Sequence, residues 1–314
     1  MRRLITILLV FAAVHLCACT QPPAPTPPPS RLDAIPPDAV RMPPDQDPYP
    51  PQLHVSGWAQ PIPLPGPVNT AGGEDSPFIL PDGQTFYFFF TPDVRIPAEK
   101  QLGDGVTGIY QTTWLDSGWA EPQRVILQTP GKLALDGCPF AQGDTLWFCT
   151  AREGFTGLQV FTAHWLEGRW QDWQLAPDAF QGGELHLSSD GQELYYSADQ
   201  PGGLGAIDLW MAQRQGDSWA APVNLTALNS PEIDGWPFLS QDGQELWFTR
   251  YYQGSPAIFR SLRVNGQWSE PELILSQFAG EPTLDSAGNL YFCHHYFIDG
   301  QMIEADIYVA YRVK

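Results

Sequence analysis

Residues 236–250 read WPFLSQDGQELWFTR, and the fold follows from that stretch. A short apolar run, Trp236-Pro237-Phe238-Leu239, precedes Asp242-Gly243, and a second run, Leu246-Trp247-Phe248, follows it. Asp-Gly between two apolar runs is a strong short-range hairpin signal, because both residues tolerate positive φ. The same hairpin pattern occurs four more times, with Asp82-Gly83, Gly143-Asp144, Asp190-Gly191 and Ala287-Gly288 at the turn. Copies are Ser76-Pro77-Phe78 to Phe86-Tyr87-Phe88, Cys138-Pro139-Phe140 to Leu146-Trp147-Phe148, Glu184-Leu185-His186 to Leu194-Tyr195-Tyr196, and Glu281-Pro282-Thr283 to Leu290-Tyr291-Phe292.

Each hairpin is followed by a further apolar pair: Ile109-Tyr110, Val160-Phe161, Leu209-Trp210, Ile258-Phe259 and Ile307-Tyr308. A tryptophan motif then recurs at Trp58, Trp119, Trp170, Trp219 and Trp268, with a proline three residues after all but Trp170. A hairpin, a third strand and a Trp-bearing fourth strand, repeated at roughly 45 to 62 residues, is the signature of propeller blades. The region opens on a Trp motif without its three preceding strands and closes after a third strand without its Trp motif. The expected fold is therefore all-β: a β-propeller of five four-stranded blades, closed by the N-terminal strand pairing with the last blade. Closure removes exposed sheet edges.

Composition agrees. Of 314 residues, 43% are hydrophobic, and 12 Trp, 11 Tyr and 17 Phe suit short, packed strands. The formal charge is −19, which disfavours nucleic acid and anionic lipid as partners. Arg2 and Arg3 precede the apolar run Leu4–Leu16, too short to span a bilayer comfortably. Leu16-Cys17-Ala18-Cys19 then resembles a bacterial lipobox, which implies a signal peptide over 1–19 and lipidation of Cys19. Thirteen prolines lie between Pro22 and Pro51, so residues 20–52 are expected to be a disordered, extended stalk and 53–314 the propeller. The expected location is the cell envelope, facing the periplasm or the outside, on the outer membrane in a diderm host.

The stretches 236–250, SPFILPDGQTFYF (76–88) and IDLWMAQRQGDSWAAPVNL (207–225) resemble the WD40-like β-propeller repeats of bacterial envelope proteins, including the propeller of the Tol system's periplasmic protein. The resemblance covers about 53–314 and implies a binding or scaffold module for an envelope protein or glycan; the chain is expected to be a monomer held to the membrane by the lipid on Cys19.

The first strand of a blade lines the propeller channel. Its entry carries acids in every copy: Glu74 and Asp75, Asp136, Glu184, Asp234 and Glu281, with Trp236 beside them. These residues are the candidate ligand-binding set. Converging carboxylates raise one another's pKa and attract cations, so a channel Ca²⁺ is one expectation and hydrogen bonding within the blades is the other. Five-bladed glycoside hydrolases set an Asp, an Asp and a Glu on their first three blades, and Asp75, Asp136 and Glu184 stand here in that order. The match departs at the prolines, where Ser76 and Cys138 replace the acid those enzymes carry. No transition-metal spacing of Cys and His is evident, and His294-His295 point to opposite faces of a strand. Cys138 and Cys149 lie equidistant from the Gly143-Asp144 turn and are candidates for a disulfide.

Overall fold

The computed structural model describes residues 30–176 and 183–313. The leader, Cys19 and residues 20–29 of the proline-rich segment lie outside them.

Strands dominate the described residues. Every hairpin read from the sequence is present, each with its third strand antiparallel to the second. Gly73–Ile79, Thr85–Thr91 and Gly108–Leu115 form the first unit. Ala134–Gln142, Thr145–Arg152 and Gln159–Leu166 form the second. Leu185–Leu187, Glu193–Ala198 and Asp208–Gln215 form the third. Asp234–Leu239, Glu245–Tyr252 and Ser255–Val264 form the fourth. Ala279–Leu284, Leu290–Ile298 and Gln301–Ala310 form the fifth.

The turns use the chemistry their residues offer. Asp242 Oδ1 accepts from the Gln244 amide at 3.0 Å, and Ser240 Oγ donates to the same carboxylate at 2.6 Å. Gly243 takes φ +70, which a residue with a Cβ would resist. Second strands are apolar on both faces: Phe86, Phe88, Leu246, Trp247, Phe248, Leu290 and Phe292 are all fully buried. A strand covered on both faces needs that continuous pattern.

Proline decides the shape of the fourth strand. Gly118–Trp119 and Gln123–Arg124 pair with the same third strand but are separated around Pro122. Ser218–Trp219 and Val223–Asn224 are separated in the same way around Pro222. Proline cannot donate to a ladder, so the outer strand breaks there. The second unit has no proline at that position, and its fourth strand runs unbroken over Arg169–Leu175.

The start of the chain meets its end. Ile62–Pro63 pairs antiparallel with Gln301–Ala310, in register Ile62 with Val309. Trp58 bridges Arg312, and the Val313 amide donates to Gly57 O at 3.0 Å. The fifth unit touches the first through a parallel contact between Ala305 and Gly73.

Residues 30–52 correct the expectation of a free stalk over that part of the segment. Arg31 is 4% exposed. It donates to Val68 O at 3.0 Å and Glu74 Oε1 at 3.4 Å, and it lies over the Phe88, Phe90 and Tyr110 rings. The Met42 amide donates to Glu304, Asp47 Oδ2 meets His294 Nε2 at 2.9 Å, and Gln52–Leu53 pairs with Glu272–Ser276. Prolines rule out an internal ladder and confine helix to the short turns Arg31–Ala34 and Pro44–Gln46, yet they also restrict the segment at little further entropic cost. Several of its non-proline side chains then act as pegs in sites on the sheets. We call residues 30–53 the strap.

Candidate functional site

The first strands share one irregularity. Their register shifts between Asp75 and Phe78, Gly137 and Phe140, Gly235 and Phe238, and Gly280 and Thr283. The residue just before proline, Ser76, Cys138, Trp236 or Glu281, takes φ between +46 and +58. A non-glycine residue there costs on the order of 1–2 kcal/mol. Its repetition in four units marks a β-bulge that re-aims one side chain.

These four residues and Glu184 surround a central cavity of about 40 Å³. That is room for a few waters or an ion. Beneath it Phe78, Phe140, His186 and Phe238 close the axis, with ring centroids 5.2 Å apart for Phe78–Phe140, 4.5 Å for Phe140–His186 and 4.6 Å for His186–Phe238. Burial pushes the His186 imidazole down to about 3, so the plug is neutral. On the far side the hairpin turns form a second, wider cavity of about 560 Å³. Its wall is apolar at Leu80, Ala141, Leu187 and Leu239, and its rim carries Gln142, Ser189, Ser240, Gln241 and Ser286.

The acids split into two sets. Glu74, Asp136 and Asp234 are fully buried and committed to their own units. Asp136 accepts from Thr150 Oγ1 at 2.6 Å and Arg152 Nη2 at 2.8 Å. Asp234 accepts from Arg250 Nε, the Ser230 amide and Ser230 Oγ, each at 2.6 Å. Glu74 accepts from Thr70 Oγ1 at 2.6 Å and from Arg31. Each carboxylate ties its strand to a neighbouring loop, strand or the strap.

Asp75, Glu184 and Glu281 do converge. Ser76 Oγ donates across the cavity to Glu184 Oε1 at 3.2 Å. Burial and the nearby Asp75 charge push Glu184 up to about 8. Burial, then Asp75 and Glu184, raise Glu281 well above the carboxylate range. Burial opposes ionisation of Asp75 too, but hydrogen bonds and charge from His295, with Cys293 and Glu281, hold it below the ordinary range.

Sequence reading placed these acids in one ring. The structure shows two columns two residues apart, with Asp75 between them, because the bulge sends only the pre-proline position to the axis. Asp136 thus does not join Asp75 and Glu184, and a 40 Å³ cavity does not admit a sugar ring, since ligand pockets run to roughly 300–1,000 Å³. Trp236 does reach the cavity. Cys138 and Cys149 are joined by a disulfide, Cα atoms 5.4 Å apart. The cavity at the turns was missed, although the spacing of the Asp-Gly turns places them at one end of the sheets.

Repeated four-stranded units with channel-lining first strands make this a β-propeller. No protein-family model matches the chain, and neither does any curated protein. Among solved structures, a gluconolactonase from Xanthomonas campestris is similar with a TM-score of 0.50 at 14% identity, covering 84% of this chain and 95% of that one. TolB from Acinetobacter baumannii is similar at 0.49 and 12%, covering 78% of this chain and 56% of that chain. An endo-arabinase from Bacteroides thetaiotaomicron is similar at 0.48 and 15%, covering 80% and 97%. At such identities the likeness is one of fold alone, and the scores under 0.50 carry no weight even for that. The chain spans 56% of the length of that TolB.

Proposed function

We propose that this chain is an envelope-anchored binding module without catalysis: five blades closed into a ring, lipidated at Cys19, with a protein or glycan partner seated in the hairpin-turn cavity. Five hairpin units support the blade count, and the Ile62–Pro63 pairing with Gln301–Ala310 supports closure. The carrying observation is the contrast between the two ends of the axis. The acid-lined cavity holds about 40 Å³ and the turn-lined one about 560 Å³. Only the latter falls in the size range of ligand pockets, with an apolar wall and polar groups convergent on its rim.

The test is a Ser189→Trp/Ser286→Trp variant, which fills the rim from two exposed turns. Purified chain is screened on an envelope-glycan panel and against isolated envelope proteins. A binder of the unsubstituted chain should weaken at least tenfold, about 1.4 kcal/mol, in the variant. Equal binding by both moves the site elsewhere. Release of reducing sugar that stops with Glu184→Gln would instead make the chain a glycosidase.

A further inference from the structure

In three of the bulged units the residue before the bulge is glycine, Gly137, Gly235 and Gly280, and the third unit carries Gly183 at the matching place. At Gly235 and Gly280 the reason is a close approach to the second strand of the preceding unit, while Gly137 faces that strand at ordinary contact distance. A Cβ on Gly235 would lie 3.2 Å from Ser197 Cβ, one on Gly280 3.3 Å from Thr249 Cγ2, and one on Gly137 3.5 Å from Phe89. The first unit breaks the rule with Asp75. Its neighbour across the junction is the last unit, and there the place of Ser197 and Thr249 is held by Cys293, with His295 two residues on. Residues i and i+2 of a strand share a face, so both aim at Asp75, while His294 turns away to Asp47.

His295 Nε2 lies 3.4 Å from Cys293 Sγ and 3.7 Å from Asp75 Oδ1. All three donor atoms lie within 4.8 Å of one another. The Glu281 carboxyl adjoins Asp75, and its Oε2 is buried with no hydrogen-bond partner. A buried carboxylate oxygen left unpaired is costly and calls for a ligand.

We propose that the junction of the last and first units binds a borderline divalent metal of the Zn²⁺ class through Asp75, Cys293 Sγ and His295 Nε2, with Glu281 as the fourth donor. Zn–S near 2.3 Å and Zn–N near 2.0–2.1 Å at tetrahedral angles separate sulfur from nitrogen by about 3.6 Å, close to the spacing found. Thiolate and imidazole donors select against Ca²⁺, which takes oxygen ligands. The proton of the Cys293 thiol leaves to solvent on binding, and the dication offsets the crowded carboxylates. The site joins the two units that chain closure brings together, so metal would bolt that junction. This inference is independent of the turn-end binding site.

Chelator-treated full-length chain is titrated with Zn²⁺, Co²⁺ and Ca²⁺, with metal content read by mass spectrometry and cobalt by absorbance. One Zn²⁺ per chain should bind, Co²⁺ should give a thiolate charge-transfer band in the near ultraviolet, and Ca²⁺ should not displace either. Cys293→Ser should abolish the band. Asp75→Gly, which restores the residue of the other units and preserves the fold, should weaken Zn²⁺ by at least the roughly 10–100-fold that losing an outer-shell partner costs. Absence of the cobalt band, its survival in Cys293→Ser, or unchanged Zn²⁺ affinity in Asp75→Gly overturns the proposal. Should Cys293→Ser fail to fold, the unsubstituted cobalt spectrum and Asp75→Gly decide it.

Discussion

Buried charge is spent on holding strands to loops. Arg250 is the partner of Asp234 and also donates to Leu228 O, so it fastens the fourth unit to its entering loop. Removing one member of a buried pair strands the other. Arg250→Ala is expected to destabilise the chain by about 3–5 kcal/mol, read from urea unfolding. Glu304 makes the opposite use of burial. Desolvation pushes it up to about 7 against the pull of the Met42 amide and Arg41, with the Glu74 charge adding to the rise. A carboxyl raised on folding contributes stability in full below its unfolded value and loses it as pH climbs through the folded value. The melting midpoint should therefore fall between about pH 5 and 8, and Glu304→Gln, which keeps an acceptor for Met42, should flatten that slope. An unchanged slope would show that the strap does not titrate through this residue.

The bulge is the element on which the axis depends. It turns the pre-proline side chain inward and leaves the next aromatic residue to form the plug. In the second unit the bulge residue is Cys138, and its bond to Cys149 clamps the hairpin across the turn. Closing a loop of 11 residues restricts the unfolded chain by about 2–3 kcal/mol. Cys138→Ser/Cys149→Ser should lose about that much in equilibrium unfolding while the reduced wild type loses the same. A double variant as stable as the oxidised protein would mean the bond is not formed in solution. The Trp motif acts at the outer edge. Trp58 donates to Gly288 O at 3.0 Å, meets Trp247 edge-on at 5.6 Å and lies under Arg312 at 4.1 Å. Trp58→Ala is expected to cost about 3–5 kcal/mol, the range for a buried large aromatic.

At the scale of the molecule, strands from the two ends of the chain share a sheet. Without Ile62–Pro63, the Gln301–Ala310 strand would present an open edge, and open edges pair with other chains. Deleting residues 1–64 should convert a monomer on size-exclusion chromatography into oligomers or aggregate and lower the melting midpoint. A truncated chain that stays monomeric with the original midpoint would refute closure by this segment. The strap adds a second tie between distant units. Arg31 engages the first unit, Asp47 reaches the fifth and Leu53 pairs beside the fourth.

Strand order, hairpin positions, the Trp-bearing edges and the pairing of the two ends were legible in the repeat, because turn chemistry and apolar runs are local signals that recur in register. The acids at the strand entries were legible as residues but not as a site. Glu74, Asp136 and Asp234 stand two residues before the place that Glu281 holds at its bulge and Glu184 holds in the third unit, and a bulge reverses the simple alternation on which sequence reading relies. The strap escaped too, since proline content reports the absence of a ladder and not the presence of a groove for Arg31. Asp75 and His295 are 220 residues apart in sequence and 3.7 Å apart in space. Amino-acid order alone settled the elements and their succession. Which side chains share the axis, and which are locked into the walls, was decided only when the sheets packed against one another.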